Sequence, residues 1–459
     1  MKRRPAHIPC ASRPCFHLPL LLALLACSAG VDAQAQNALS SRDLVQRRVQ
    51  AEYSSLLELY KTLHAAPELS LQEQKSAARV AEELRQAGFE VTTGVGRLGV
   101  VGVLRNGQGP TVLVRADMDA LPVKEQTGLP YASTVVAKDA EGREVPVMHA
   151  CGHDIHMTCL VGTARVLAQI KAQWRGTLVC IGQPAEEAGG GAEAMLADGL
   201  FQRFPQPDYC LALHDDSELP AGTLGYVPGY MNASVDGVDI LVRGVGGHGA
   251  YPHRTKDPVV LAAQIVLALQ TIASRETQPG EPVVVTVGTI HGGTKRNIIP
   301  DEVRLQLTIR SYAEEVRQQT LEAIKRIARG QAVAAGIPED RLPQVKIGKD
   351  PTPALFNQPE LTERVAGVFK AWFGETNVLS KTPSMGGEDF SEYGRTAAKI
   401  PLFMFQLGAV RPEAIKESER TGQPLCSLHS PLWAPAPDPT IQTGVTAMTA
   451  AVLELMGKP

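Results

Sequence analysis

The stretch His149-Ala150-Cys151-Gly152-His153-Asp154 crowds four ligand-competent side chains into six residues. Downstream, Gln183-Pro184-Ala185-Glu186-Glu187-Ala188-Gly189 carries a bare acidic pair out of an apolar run. Thiolate, imidazole and carboxylate donors that converge are what a borderline-soft divalent metal needs. Neither segment closes such a site alone, so the fold must return distant parts of the chain to one place. A second carboxylate beside a ligating one is then placed to act as base toward water. The combination reads as a metal-dependent hydrolytic centre.

The 459 residues predict two or three domains at about 150 residues each. A composition of 44% hydrophobic and 20% charged residues is that of a globular chain. The net charge of −3, without a basic stripe interleaved with aromatics, argues against nucleic acid as a partner. The N-terminus has the three parts of a secretory leader in order. Lys2, Arg3, Arg4 and Arg13 are basic, residues 18–26 are apolar, and Ala33-Gln34-Ala35 is a small-x-small cleavage site. The prediction is a signal peptide over residues 1–35 and a periplasmic or secreted protein, with lipid anchoring at Cys27 as the minor alternative. Cleavage there removes four basic side chains and Asp32, taking the net charge from −3 to −6. No segment after residue 40 is read as a membrane span. Five cysteines remain, and their spacing fits no disulfide framework. Cys159, Cys180 and Cys210 sit in apolar contexts and read as buried small hydrophobes.

Helical periodicity covers residues 52–65 and 72–87, the second stopping at Gly88. Strand-like runs follow at 89–93, 99–104 and 111–115, then a helix at 157–172 and strands at 177–181 and 209–213. Ligand-type residues therefore gather at the carboxyl ends of strands, where open α/β sheets place their sites. Between residues 234 and 349 the pattern changes to strand 237–243, helix 258–274, strands 283–290 and 302–310, helix 313–334 and strand 344–347. That βαββαβ order predicts a four-stranded antiparallel sheet with two helices on one face. The fold class is α/β: a discontinuous catalytic domain, residues 36–233 and 350–459, with a lid or dimerisation domain inserted at 234–349.

Each motif has an ordinary reading beside the chemical one. A buried Cys next to a His is common, and Cys151-Gly152-His153 gains weight only from its partners; Gly152 permits a sharp turn, putting two ligands on one tight loop. Glu186 and Glu187, if extended, point to opposite sides, so one ligates while the other faces water; the alternative is a solvated pair. His214 ends an apolar strand and His429 lies in Ser427-Leu428-His429-Ser430-Pro431; either also suits a structural histidine. Asp117 and Asp119 ligate, orient a ligand or cap a turn. His248, in a glycine-rich loop, is placed to polarise a carbonyl or is a surface histidine. Asn297 is a donor to a substrate carboxylate or routine turn chemistry. There is no phosphate-binding P-loop and no Gly-x-Ser-x-Gly elbow.

Eight motifs in order carry a resemblance: Arg115-Ala116-Asp117-Met118-Asp119-Ala120-Leu121-Pro122, residues 148–154, residues 183–187, Leu213-His214, residues 247–253, Asn297-Ile298-Ile299-Pro300, Met385-Gly386-Gly387-Glu388-Asp389-Phe390 and residues 428–431. From Tyr53 to Met456 the chain resembles the amidohydrolase branch of the aminoacylase/carboxypeptidase metallopeptidases. That branch holds hippurate hydrolases, indole-acetyl-amino-acid hydrolases and N-acetyl-diaminopimelate deacetylases. The resemblance implies two divalent ions, zinc or manganese ahead of cobalt or nickel, on Cys151, His153, Glu187, His214 and His429. It implies Glu186 as general base, Asp119 as supporting carboxylate, and His248 as a lid residue that in some relatives comes from the partner of a homodimer. His149, Asp154 and His156 are left supporting roles. One departure stands out: Asp215-Asp216 replace the usual small or apolar residues after His214. They either add negative charge near the metals or alter only the loop surface.

The resulting prediction is hydrolysis of the amide bond of an N-acyl amino acid or small peptide-like substrate. A metallo-carboxypeptidase or dipeptidase of the same fold is the alternative. Two others are a Cys151 thiol nucleophile paired with His153 and a non-catalytic periplasmic binding protein.

Overall fold

The computed structural model describes residues 20–349 and 351–457. The basic residues of the expected leader, Lys2, Arg3, Arg4 and Arg13, lie outside the described residues. The chain divides into two units, Met1–Arg47 and Arg48–Pro459. The first is described only as helix, the opening part of α1 (Leu20–His64); the rest of the fold belongs to the second.

Helix α2 (Gln74–Gln86) precedes three strands, β1 (Glu90–Val95), β2 (Gly99–Asn106) and β3 (Thr111–Asp117). Then come α3 (His153–Gln169), β4 (Gly176–Gln183), β5 (Tyr209–Pro220), β6 (Leu224–Tyr226) and β7 (Gly229–Asn232). The inserted segment contains β8 (Ser234–Arg243), α4 (Pro258–Thr271), β9 (Val283–Gly292), β10 (Glu302–Ser311), α5 (Glu314–Ala334) and β11 (Gln344–Ile347). The chain returns through β12 (Leu355–Asn357), α6 (Pro359–Phe373), β13 (Val378–Ser380), β14 (Leu402–Val410) and α7 (Pro437–Met456).

The large sheet has eight strands in the order β1-β2-β4-β3-β5-β14-β6-β13. Its central strands β4, β3, β5 and β14 run parallel to one another, while β2 and β6 flank them antiparallel. Both faces are covered, as a mainly parallel sheet requires. Val101, Val103, Leu113, Val179 and Ile181 join one apolar cluster. Their strand neighbours Val100, Val112, Val114, Leu178 and Cys180 are equally buried and by alternation face the other way. Helices α3 and α7 are buried almost all round, as layers packed between other elements must be.

The inserted sheet, β9-β10-β8-β11, is antiparallel throughout. Its strands alternate between buried and open positions, so only one face is covered. Ile240, Leu305, Leu307 and Ile309 on that face pack with Leu261, Ile265, Ile324 and Ile327 of α4 and α5. The architecture is therefore a discontinuous α/β domain with an inserted βαββαβ domain. The helical stretch Pro258–Glu276 is, by length and composition alone, apolar enough to cross a membrane, which corrects the expectation of no such segment after residue 40. The reason is an apolar outer side: Val260 and Leu267 are exposed while Leu261, Ile265 and Leu269 are buried.

His64, at the end of α1, is buried between Asp154 (Nδ1–Oδ2 2.6 Å) and Glu125 (Nε2–Oε1 3.0 Å). The backbone N–H of the adjacent Gln126 donates to Pro431 O at 2.8 Å, so this buried group braces the segment that carries His429. Burial opposes a charge on His64, but hydrogen bonds with Asp154 and Glu125 raise its pKa to about 9, against about 6.5 for a free histidine. A raised folded pKa stabilises fully below pH about 6.5, and that contribution is lost as pH rises through about 9. Between pH about 6.5 and about 9.5 the unfolding free energy of the protein should fall by on the order of 2–3 kcal/mol relative to His64→Gln, by urea titration. Parallel pH profiles for the two would contradict it.

Candidate metal centre

Strand β3 delivers its chemistry by simple alternation. Arg115 and Asp117 are two residues apart, share one side of the strand, and meet at 2.6 Å. Arg115 is 2% exposed. Its guanidinium also pairs with Glu388 (2.8 Å) and Asp389 (3.0 Å) and donates to Gln183 Oε1 (3.0 Å). Sequence reasoning quoted Arg115 as part of a motif and assigned it no role. The available signal was an arginine inside an apolar strand, which is sustained only by paired carboxylates.

Asp119, just past β3, sets the acidic pair. Its two oxygens accept the backbone N–H of Glu186 (3.1 Å) and of Glu187 (3.0 Å), and one also accepts Ser70 Oγ (2.6 Å). The pair therefore does not lie on extended backbone as expected. Ala185 has φ +52°, and Gly189 N donates to Glu186 O, closing a turn. Both carboxylates consequently reach the same histidine: ligand atoms of His153, Glu186 and Glu187 lie within 4.8 Å of one another.

Cys151 and His153 are also not on one loop. Cys151 precedes Gly152, and His153 is already the first residue of α3, four residues earlier than the sequence suggested. Gly152 has φ +75°, and a Cβ there would meet the Asp215 carboxylate at 2.3–2.4 Å. His214 lies within β5 rather than at its end, because β14 pairs alongside from Cys210 to Pro220. It nonetheless stands clear of β3, whose pairing with β5 stops at Ala212. His429 has φ +67° and is tied by its N–H to Ala150 O at 2.8 Å. Left-handed backbone at a non-glycine residue is strained, and here it turns an exposed imidazole to 3.4 Å from Glu187.

Three ligand groups overlap at this point: Cys151 with His153 and His214, Cys151 with Glu187 and His429, and His153 with the two glutamates. Cys151 Sγ is 3.6 Å from His214 Nε2, and His153 Nε2 is 3.9 Å from Glu187 Oε1. Both ring nitrogens of His153 and Oε1 of Glu187 are buried without a hydrogen-bond partner. Buried polar atoms are rarely left so, and mixed sulfur, nitrogen and oxygen donors suit a borderline-soft cation. The residues fit a metal. Burial, and then Glu187, Asp215 and Glu186, push the Cys151 thiol up, so a thiolate here needs a compensating positive charge.

The Asp215-Asp216 departure puts negative charge at the centre, since both aspartates line its cavity. Asp215 is buried, with Oδ1 3.1 Å from His156 Nε2 and 3.3 Å from His214 Nδ1. Burial alone would raise its pKa, but hydrogen bonds with His156 and His214 hold it down to about 2. His156 reaches Asp117 through its other nitrogen at 2.6 Å. His214 Nδ1 itself donates to the backbone O of Asp215 at 2.7 Å, so Asp215, held by His156 and through it Asp117, orients a candidate ligand through its far nitrogen. Asp216 accepts the N–H groups of Glu218 and Leu219. His149 is buried, and burial lowers its pKa to about 4.

The centre opens on a cavity of about 830 Å³ lined by Cys151, Glu186, Glu187, His214, His429 and, from the inserted sheet, Arg310. Lys381 at the wall is taken by Glu218 (3.3 Å) and Asp216 (3.6 Å). Arg310 donates to Thr308 Oγ1 and Met385 O, and no carboxylate pairs with it among the described residues. Sequence reasoning missed Arg310, which sits at a half-open position of an alternating strand. His248 and Asn297 are both exposed on the inserted domain and do not line this cavity; the structure does not bring them to the centre of their own chain.

Fold and site together suit a metal-dependent hydrolase, and the similarities to known proteins make it one acting on amide bonds. The family model for Peptidase family M20/M25/M40 matches residues 113–422. Thermostable carboxypeptidase 1 of Saccharolobus solfataricus is 38% identical over 353 residues, 76% of this chain and 85% of that one. Hippurate hydrolase of Campylobacter jejuni is 39% identical over 334 residues, 72% of this chain and 82% of its own. A Bacillus subtilis structure described as a dinuclear metal binding peptidase of the M20 family superposes with a TM-score of 0.71 at 28% identity, covering 89% of this chain and 100% of that one. The chain belongs to Peptidase family M20/M25/M40.

Gly152 gives the geometry a direct test. Gly152→Ala adds a left-handed alanine and a clash with Asp215, and should destabilise by more than about 2 kcal/mol in urea while displacing Cys151 and His153. A variant as stable and as active as the parent would show that this turn is not required.

Proposed function

We propose that this protein is an exported metal-dependent amidohydrolase that cleaves N-acyl amino acids or small peptide-like substrates. The observation that carries the reading is Glu186 beside overlapping ligand groups, on a cavity also lined by Arg310, which has no carboxylate partner among the described residues. Cys151, His153, Glu187, His214 and His429 would hold two divalent cations, zinc or manganese ahead of cobalt or nickel, which when bound supply the Lewis acidity that acidifies a water and polarises the scissile carbonyl.

The rest falls to the chain itself. Burial and the carboxylates of Glu388, Asp389 and Glu187 push the Glu186 carboxyl up, against the pull of Arg115. A carboxylate with raised proton affinity is suited to take a proton from water and return it to the leaving amine. Asp119 fixes both glutamates through their backbone, so the base cannot drift from the ligand beside it. Arg310, deprived of a carboxylate partner and partly desolvated, is the natural anchor for the free carboxylate of an amino acid. That preference serves an acyl amino acid and the C-terminus of a short peptide alike. The hippurate hydrolase and carboxypeptidase names of the relatives favour the same pair of substrate classes.

His248 and Asn297 complete the site, on this reading, from the partner of a homodimer. In support, they are exposed away from their own cavity, and the same domain presents Val260, Leu267 and the sheet-edge strand β9. Export is supported by the ordered basic, apolar and small-x-small segments of residues 1–35.

Two substitutions separate the roles. Glu186→Gln should lower kcat by about 10²–10⁴-fold on N-acetyl, N-benzoyl and indole-acetyl amino acids while metal content, measured on the same sample, persists. Retained turnover would remove Glu186 as the base. Arg310→Ala should raise KM at least about tenfold for substrates with a free carboxylate and leave their α-amides unchanged; equal losses on both would remove the anchor. Chelation that abolishes activity, with recovery on adding metal, excludes a Cys151 thiol mechanism.

A further inference from the structure

The chain crosses between its two domains twice, and the crossings pair with each other: Phe356 of β12 lies opposite Tyr230 of β7, and Asn357 opposite Gly229. Beside them is a second cavity of about 290 Å³, which shares no lining residue with the metal centre. That volume is near the lower end of small-molecule sites, about 300–1,000 Å³.

One wall is aromatic. The rings of Tyr230 and Tyr312 lie nearly parallel with centroids 5.7 Å apart, and Phe356 meets Tyr230 edge-on at 5.0 Å. Phe356 is 45% exposed, although a ring of that size is normally covered. The other wall is polar and cationic. Ser391 is 2% exposed, and its Oγ has no hydrogen-bond partner. Arg395 and Lys399 line the same space, and neither forms an ion pair among the described residues. The one acid at the rim, Glu314, is engaged by Arg317 and Gln318 at 2.7 and 2.8 Å. An orphaned buried hydroxyl calls for a partner, two cations without an ion pair among the described residues favour an anion, and the exposed Phe356 ring favours a flat apolar body.

We propose that this cavity is a binding site for a small aromatic carboxylate. The ring lies along Tyr230, Tyr312 and Phe356, and the carboxylate accepts from Ser391 Oγ between Arg395 and Lys399. Aliphatic acids leave the aromatic wall uncovered, and neutral aromatics leave the cations unpaired. The occupant touches the inserted domain through Tyr312, the crossings through Tyr230 and Phe356, and the catalytic domain through Ser391. The short turn Asp389–Ser391 begins beside Glu388, so this wall is continuous with the Arg115 cluster.

The test is calorimetric titration of the full chain with indole-3-acetate and benzoate, beside indole-3-ethanol and cyclohexanecarboxylate. Saturable binding of the aromatic acids is expected, with Kd on the order of 0.1–1 mM. The double variant Arg395→Ala, Lys399→Ala, at two exposed positions, should weaken it at least about tenfold, as should Tyr312→Leu. Arg310→Ala, which alters the metal cavity, should leave it unchanged. Absence of saturable binding to about 10 mM overturns the proposal. So does binding lost in Arg310→Ala but kept in the double variant, which places the ligand in the metal cavity. Equal binding of indole-3-ethanol or cyclohexanecarboxylate overturns the assigned chemistry.

Discussion

The site depends on one buried guanidinium. Arg115 gathers Asp117 from its own strand, Gln183 from the end of β4, and Glu388 and Asp389 from the returning chain. Without it three buried carboxylates would stand together beside the cavity that Glu186 lines, and like charges so close cannot all stay ionised. Removing one partner from a buried ionic group costs about 3–5 kcal/mol. Arg115 therefore both joins the two halves of the discontinuous domain and sets the electrostatic background of the proposed base.

Around it the ligand residues are held indirectly. Asp119 grips the Glu186-Glu187 turn by its backbone, Asp215 orients His214 and His156, and the His64 cluster braces the segment behind His429. These hydrogen bonds hold the ligand residues from behind, and in the segments so held Ala185 and His429 carry left-handed backbone. Strain of that kind persists only where surrounding structure over-determines it, and here each strained residue lies in a segment held by a neighbour's backbone hydrogen bond.

Local pattern made much of this legible. Helical periodicity marked the end of α1 and α2, and the βαββαβ order of residues 234–349 marked the inserted domain. Cys151 and His153 stood out as donors crowded into one short stretch and Glu187 as an acid behind an apolar strand, while His214 and His429 were singled out as ligands only through the family resemblance; the structure gathers all five in overlapping groups. Geometry within a few residues was misread, since it depends on long-range contacts. Glu186-Glu187 turns because Asp119, 67 positions earlier, binds its backbone. Arg115 was overlooked because its partner Glu388 is 273 positions away. Asp215 was visible as a departure, but its burial follows from His156 on another element, 59 positions earlier. Arg310 had no local signal, because an arginine on a half-open strand reads as ordinary surface.

The two sheets divide the work for a physical reason. A sheet buried on both faces is stiff and low in dielectric, which suits ligand residues that must hold position and a base whose proton affinity must be raised. The inserted sheet is covered on one side only, and it contributes Arg310 to the cavity wall, whereas His248 and Asn297 lie exposed elsewhere on the inserted domain. This thinner layer is joined to the catalytic domain through the paired crossings β7 and β12, so Arg310 reaches the cavity from a different layer than the candidate ligands. The aromatic cavity beside those crossings lies where the two layers meet, so a molecule bound there contacts both layers and leaves the metal centre free.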